Sequence, residues 1–246
     1  MANRLIRVIT FDLDDTLWET KLVLTHAEHQ VFNWLKEYAP KVTEHFSIES
    51  LAQWRWKKYN NSPQLAHQIS QLRIDTMQQV MALVGYDKPS SKRLAKECFG
   101  VFINARHQVT LFEDVIPILE QLRTHYTLGT LTNGNADISR LAIAHLFDFS
   151  FRAEQVNASK PAPELFIAAQ RAGSCRANEM IHVGDNIEHG VIGANQAGCH
   201  SLWYNPQTQT PPKNARASME VHSLAQIPKT INDFENSLKN RKPSTG

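Results

Sequence analysis

Apolar residues dominate from Leu5 to Phe11 and give way abruptly to Asp12-Leu13-Asp14-Asp15-Thr16. A short apolar run closed by a polar turn predicts a buried strand. The stretch that follows keeps a helical rhythm. Leu24, Ala27, Val31 and Leu35 recur at helical spacing, and Ala39-Pro40 ends that helix. Ser47 is placed to cap a second helix carrying Leu51, Trp54 and Tyr59. Ser62-Pro63 reads as a cap followed by proline in the first turn of a third, with Leu65, Ile69, Leu72, Val80 and Val84 along one face until Gly85. Leu94, Cys98, Val101, Phe102 and Ala105 make a fourth stripe, and no strand interrupts the four.

After about residue 110 helices and strands alternate. Helices are predicted around Val115, Ile118 and Leu122, over Leu141–Leu146, over Pro163–Ala172 and over Val191–Ala197. Strands are predicted over Tyr126–Thr132, Asp148–Ala153, Met180–Val183 and Cys199–Tyr204. The polar stretch Asn205–Asn214 reads as a loop and Lys239–Gly246 as a frayed tail. Such alternation predicts an α/β fold, a Rossmann-like, mostly parallel sheet with helices on its faces. The expected organisation is a core of residues 1–17 and 110–246, with a helical domain of residues 18–109 inserted after the first strand.

Composition narrows the choice of partners. The 246 residues are 42% hydrophobic and 20% charged, with a net charge of +2, the balance of an ordinary globular chain. No cluster of lysine and arginine stands out, so charge does not imply nucleic acid; a small anionic substrate needs only a local cationic pocket. No apolar stretch approaches the roughly 18 residues of a membrane helix. Charges interrupt the first apolar run, which reads as a strand and not a signal peptide. Cys98, Cys175 and Cys199 are widely spaced and form no metal-clip pattern. A soluble protein of the reducing cytoplasm is expected.

Ligands of open parallel sheets bind at the carboxyl ends of strands, and there the polar residues gather. Asp12-x-Asp14-x-Thr16 follows the first strand; the lack of glycine at the sixth position argues against a calcium loop. Thr132-Asn133-Gly134-Asn135 follows the second, offering a hydroxyl and turn amides to a phosphate. Lys160 precedes Pro161-Ala162-Pro163 and a helix, where an ammonium can balance carboxylates. Asp185, in Gly184-Asp185-Asn186, ends another strand and can hold a hard cation through oxygen. Each motif alone also suits an ordinary turn or cap.

Together, in this order and at these places, the four motifs resemble the signature of the haloacid dehalogenase superfamily, over essentially the whole chain, with the helical insert matching that family's cap. The resemblance implies a phosphomonoesterase in which Asp12 is the nucleophile, Asp14 the acid and base, and Lys160 the charge balance at Asp12. Thr132, Asn133, Gly134 and Lys160 would hold the phosphate. Mg²⁺ would lie on the Asp12 carboxylate, the Asp14 backbone carbonyl and the Asp185 carboxylate. Asp14 distinguishes phosphatases from the family's 2-haloacid dehalogenases, which have no leaving group to protonate and typically lack that residue. One departure stands out. The acidic residue expected five positions after Asp185 is Gly190, which puts the support of magnesium and Lys160 in doubt and leaves a weakly active or non-catalytic member as an alternative.

The substrate expected is a small phosphorylated metabolite. The Thr132–Ala136 and Ser159-Lys160-Pro161 contexts resemble bacterial phosphatases acting on flavin mononucleotide and on the phosphorylated ribitylaminouracil of riboflavin synthesis. Trp18, Trp54 and Trp56 are candidates to stack on a flat ring, with internal packing the stronger expectation. Arg73 and Arg106 read as surface cations before substrate contacts.

Overall fold

The structure, a computed structural model, describes residues 5–240. Six strands form one sheet: β1 (Val8–Phe11), β2 (Thr127–Thr132), β3 (Phe149–Arg152), β4 (Met180–Gly184), β5 (His200–Tyr204) and β6 (Met219–Val221). Their order is β3-β2-β1-β4-β5-β6 and every neighbouring pair is parallel. β1 therefore lies between β2 and β4, with Phe11 opposite Thr130 on one side and Val183 on the other. The chain turns to opposite sides of β1 here, the switch point at which such sheets bind ligands.

The chain divides into two compact units. One holds the chain up to Trp18, Leu111–Asn133 and everything from Ile138 onward; the other holds Glu19–Thr110 and Gly134–Asp137. The second unit is helical: α1 (Thr20–Tyr38), α2 (Pro40–His45), α3 (Ile48–Asn60), α4 (Ile69–Leu83) and α5 (Lys88–Arg106). Its core draws on the repeating apolar positions, among them Ala27, Val31, Leu35, Leu51, Val80, Leu94, Cys98 and Phe102. Ser47 caps α3 in a reciprocal box with Ser50. Ser62 makes no such cap. Pro63–Leu65 is a single tight turn, and the helix expected there starts only at Ile69.

Arg73 and Arg106 are not surface residues. Arg73 and Arg55 each donate through Nη2 to Glu28 Oε1, at 2.9 and 2.8 Å, and Arg73 also lies over the Phe102 ring. Arg106 is buried.

Around the sheet lie α6 (Val115–Arg123), the short α7 (Ala153–Val156), α8 (Glu164–Ala172), the short α9 (Gly193–Gln196) and α10 (Ile227–Asn240). Three expectations need correction. Leu141–Leu146 is not an α-helix. Tight turns at Ile138–Arg140 and Ala144–Leu146, with carbonyls bonded three residues on, carry the chain to β3 with a larger rise per residue than an α-helix gives. The stretch expected to be helical over Val191–Ala197 begins as a wide π-type turn, Ile187–Ile192, that runs into α9. Lys239 and Asn240 belong to α10; the rest of the expected tail lies outside the described residues. β6 and α10 were not predicted. Among the described residues no helix is long and apolar enough to cross a membrane.

Candidate active site

Three adjacent strands, β2, β1 and β4, end side by side, and each delivers reactive residues. β1 is buried along its whole length. As it ends, the Asp12 amide donates to the Val183 carbonyl of β4 at 2.8 Å, which fixes the nucleophile candidate to the sheet. Its carboxylate is nearly buried and held at both oxygens. Oδ1 accepts from the Leu13 amide at 2.8 Å, and Oδ2 lies 2.9 Å from Lys160 Nζ.

The chain then doubles back. Leu17 N bonds to Leu13 O and Asp15 N to Trp18 O, with Asp15 in the left-handed region at φ 57°. The short loop brings the indole of Trp18 round to Asp14, where Nε1 donates to Oδ1 at 3.0 Å. Trp18 is fully buried, so it cannot stack on a substrate; its work is to orient Asp14. Trp54 and Trp56 of α3 are the exposed tryptophans.

At the end of β2, Thr132 is buried and Asn133 follows. The Asn133 side chain is committed to the backbone of Lys160: Nδ2 donates to Lys160 O at 2.8 Å and Oδ1 accepts from Lys160 N at 2.7 Å. That leaves Asn133 its backbone groups and the second Nδ2 hydrogen to offer a phosphate. Gly134 belongs to the short stretch that groups with the helical unit. The Lys160–Pro161 peptide is cis. Lys160 itself is buried, and its ammonium meets three acceptors: Leu131 O at 2.6 Å, Asp12 Oδ2 at 2.9 Å and, at a longer 3.4 Å, His182 Nε2.

Asp185 follows β4. Thr16 serves it twice, through Oγ1 to Oδ1 at 3.3 Å and as acceptor of the Asp185 amide at 3.2 Å. Trp203 Nε1 donates to the Asp185 carbonyl at 2.8 Å. Burial, then the negative charges of Asp12 and Asp15, push its carboxyl up to about 7. This is concentrated negative charge around oxygen donors, which a hard divalent cation relieves. Among the described residues no three His, Cys, Asp or Glu side chains gather as a metal cage. Magnesium asks for less, one or two carboxylates with water completing its shell, so the donor set fits it.

Gly190 is buried within the π-type turn. A side chain there would point at Gly184 Cα and the edge of the His182 ring, each 3.8 Å from its first carbon. Sequence reasoning missed His182 and its neighbour Thr10. The available signal was slight: polar residues inside strands otherwise buried on both faces.

Residues 6–198 match the haloacid dehalogenase-like hydrolases, and the chain belongs to that family. Among curated proteins, the 5-amino-6-(5-phospho-D-ribitylamino)uracil phosphatase YigB of Escherichia coli is 26% identical over 230 residues, 92% of this chain and 96% of its own. Human N-acylneuraminate-9-phosphatase is 25% identical over 244 residues, covering 94% and 95%. Among solved structures, a 2-haloacid dehalogenase from Pseudomonas syringae pv. Tomato superposes with a TM-score of 0.87 at 39% identity, over 93% of this chain and 99% of that one.

Proposed function

We propose that the protein is a magnesium-dependent phosphomonoesterase that works through an aspartyl-phosphate on Asp12. The observation that carries the reading is the doubly held Asp12 carboxylate, paired with buried Lys160 beside Asp14 and Asp185. In the first half-reaction an Asp12 oxygen bonds to phosphorus while the bond from phosphorus to the ester oxygen breaks. Asp14 gives its proton to the departing alkoxide. In the second half-reaction water attacks phosphorus, Asp14 takes its proton, and the acyl-phosphate bond breaks to return Asp12 and free phosphate. Lys160 offsets the charge of Asp12 beside a dianionic substrate. Thr132 and the amides after β2 are suited to the phosphoryl oxygens. Magnesium would be held by the Asp12 and Asp185 carboxylates and the Asp14 carbonyl, and would supply charge stabilisation for the phosphoryl group.

The substrate we propose is a small phosphorylated metabolite, with 5-amino-6-(5-phospho-D-ribitylamino)uracil and flavin mononucleotide the first to try. The match to YigB along nearly the full length of both chains supports that choice. The helical unit is proposed to act as the family's cap and select among phosphoesters. A second reading, 2-haloacid dehalogenase, is favoured by the name of the Pseudomonas structure. Asp14 speaks against it, because a halide leaves without a proton.

A panel of phosphorylated metabolites and 2-chloropropionate, each with Mg²⁺ and with chelator, separates the two. Phosphate release that needs metal is expected, and Asp12→Asn should abolish it in a folded protein. Halide release with no phosphatase activity, or an undiminished Asp12→Asn variant, overturns the reading.

A further inference from the structure

Thr10 and His182 sit at equivalent positions of the paired strands β1 and β4. By the alternation of a strand both point to the same face of the sheet. That face meets α8, whose Phe166 ring stands edge-on to His182 at 5.3 Å. There the imidazole bridges two groups, with Thr10 Oγ1 2.9 Å from Nδ1 and Lys160 Nζ 3.4 Å from Nε2.

A hydrogen bond from an ammonium, which has only hydrogens to offer, requires a bare, accepting Nε2. Nδ1 then carries the ring hydrogen and donates it to Thr10 Oγ1. The Thr10 hydroxyl turns its own hydrogen to the Ile181 carbonyl, 3.4 Å away. Each of the three donors of Lys160 thus has an acceptor: the Leu131 carbonyl, Asp12 and His182.

Gly190 bears on this arrangement. Its missing side chain would project toward His182 Nε2 and Cδ2, 3.8 Å from its first carbon, the ring edge that also faces Lys160. We propose that His182, oriented by Thr10, is a positioning residue that holds Lys160 through a neutral acceptor in place of a carboxylate at position 190. Lys160 then pairs its charge with the Asp12 carboxylate while a neutral ring meets its other side. Burial and the nearby charge of Lys160 both push the His182 imidazole well below its usual range, in keeping with a neutral ring.

The inference rests on the reading that Lys160 serves Asp12 in phosphate transfer, and the tests keep the two apart. The first needs no activity. Nitrogen-15 spectra of the metal-free protein should show His182 with protonated Nδ1 and bare Nε2, and Lys160→Met should shift the Nε2 resonance. A protonated Nε2 overturns the proposal whatever the enzyme does.

The second test is kinetic. His182→Phe preserves the ring and removes the acceptor; kcat should fall about tenfold to a hundredfold, the scale of losing a supporting partner, with little change in KM. His182→Gln, which can present an oxygen to Lys160, should recover most of that loss. Unchanged kcat in His182→Phe, while Lys160→Met is inactive, overturns the role of His182 alone. An active Lys160→Met overturns the underlying reading. Should His182→Phe fail to fold, Thr10→Val takes its place. It should lower kcat and leave the ring tautomer mixed, and a normal rate with an unmixed tautomer overturns the proposal.

Discussion

At the scale of single residues, the site is a set of side chains each held by a few named partners, three in the case of Lys160. Trp18 and Asp14 show what one such contact contributes. The indole hydrogen bond occupies Oδ1 of Asp14 and turns the carboxyl to a fixed orientation. Trp18→Phe keeps most of the buried volume and removes the donor. A hydrogen bond contributes about 0.5–1.5 kcal/mol, so kcat should drop roughly threefold to tenfold, with folding checked by circular dichroism. A full rate in that variant would show that Asp14 needs no such guide. The places of Asp12, Asp14, Lys160 and Asp185, at strand ends or before a helix, were legible in the sequence, while the roles proposed for them came from the family resemblance. Trp18, Thr10 and His182 were not legible in these roles. A tryptophan or a polar strand residue gives no sign, from its place in the chain, of the atom its donor will meet. Asn133 was read for its turn amides; its side chain turned out to clamp the Lys160 backbone, a contact across 27 positions that no local pattern encodes.

At the scale of elements, periodicity carried the reading where apolar repeats are long. α1 and α5 follow their apolar stripes closely. It failed where the pattern is short or broken. β6 has three residues, too few to separate from a loop. In α10 the buried stripe is Ile227, Ile231 and Glu235, so a charged residue stands where the pattern needs an apolar one. The exception has a structural cause. Glu235 Oε2 accepts from the Tyr126 hydroxyl at 2.7 Å and Oε1 from the Ile6 amide at 3.2 Å, both in the interior. The helix is thus tied to the segments leading into β1 and β2 by hydrogen bonds as well as apolar contact. Glu235→Ala removes the acceptor of the Tyr126 hydroxyl and strands the buried Ile6 amide, and a buried group left without a partner costs about 1–3 kcal/mol. The denaturation midpoint should fall accordingly, while the metal requirement of the remaining activity stays as it was. A variant as stable as the parent in urea would show that α10 is held by its isoleucines alone.

At the scale of the whole molecule, the concentrated charge of the site connects pH, metal and stability. Asp185 titrates near an ordinary carboxylate value of about 3.9 when unfolded and at about 7 in the fold. A group whose value rises on folding contributes stability fully below its unfolded value and loses it as pH climbs through its folded one. The metal-free protein should therefore lose this contribution between about pH 4 and pH 7, as burial and the charges of Asp12 and Asp15 act on the ionised carboxyl. A cation that binds only the folded, ionised site reverses the penalty. Added Mg²⁺ should thus raise Tm more at about pH 8 than at about pH 5. Asp185→Asn separates the two effects, since the amide carries no charge to penalise and is a poorer ligand. That variant should melt higher than the parent without metal at the higher pH, and should respond little to Mg²⁺ at either. If it instead melted lower than the metal-free parent at the higher pH, the hydrogen bond from Thr16 Oγ1 to the Asp185 carboxylate would outweigh the repulsion. The site would then be stable as built and would not depend on a cation to offset it.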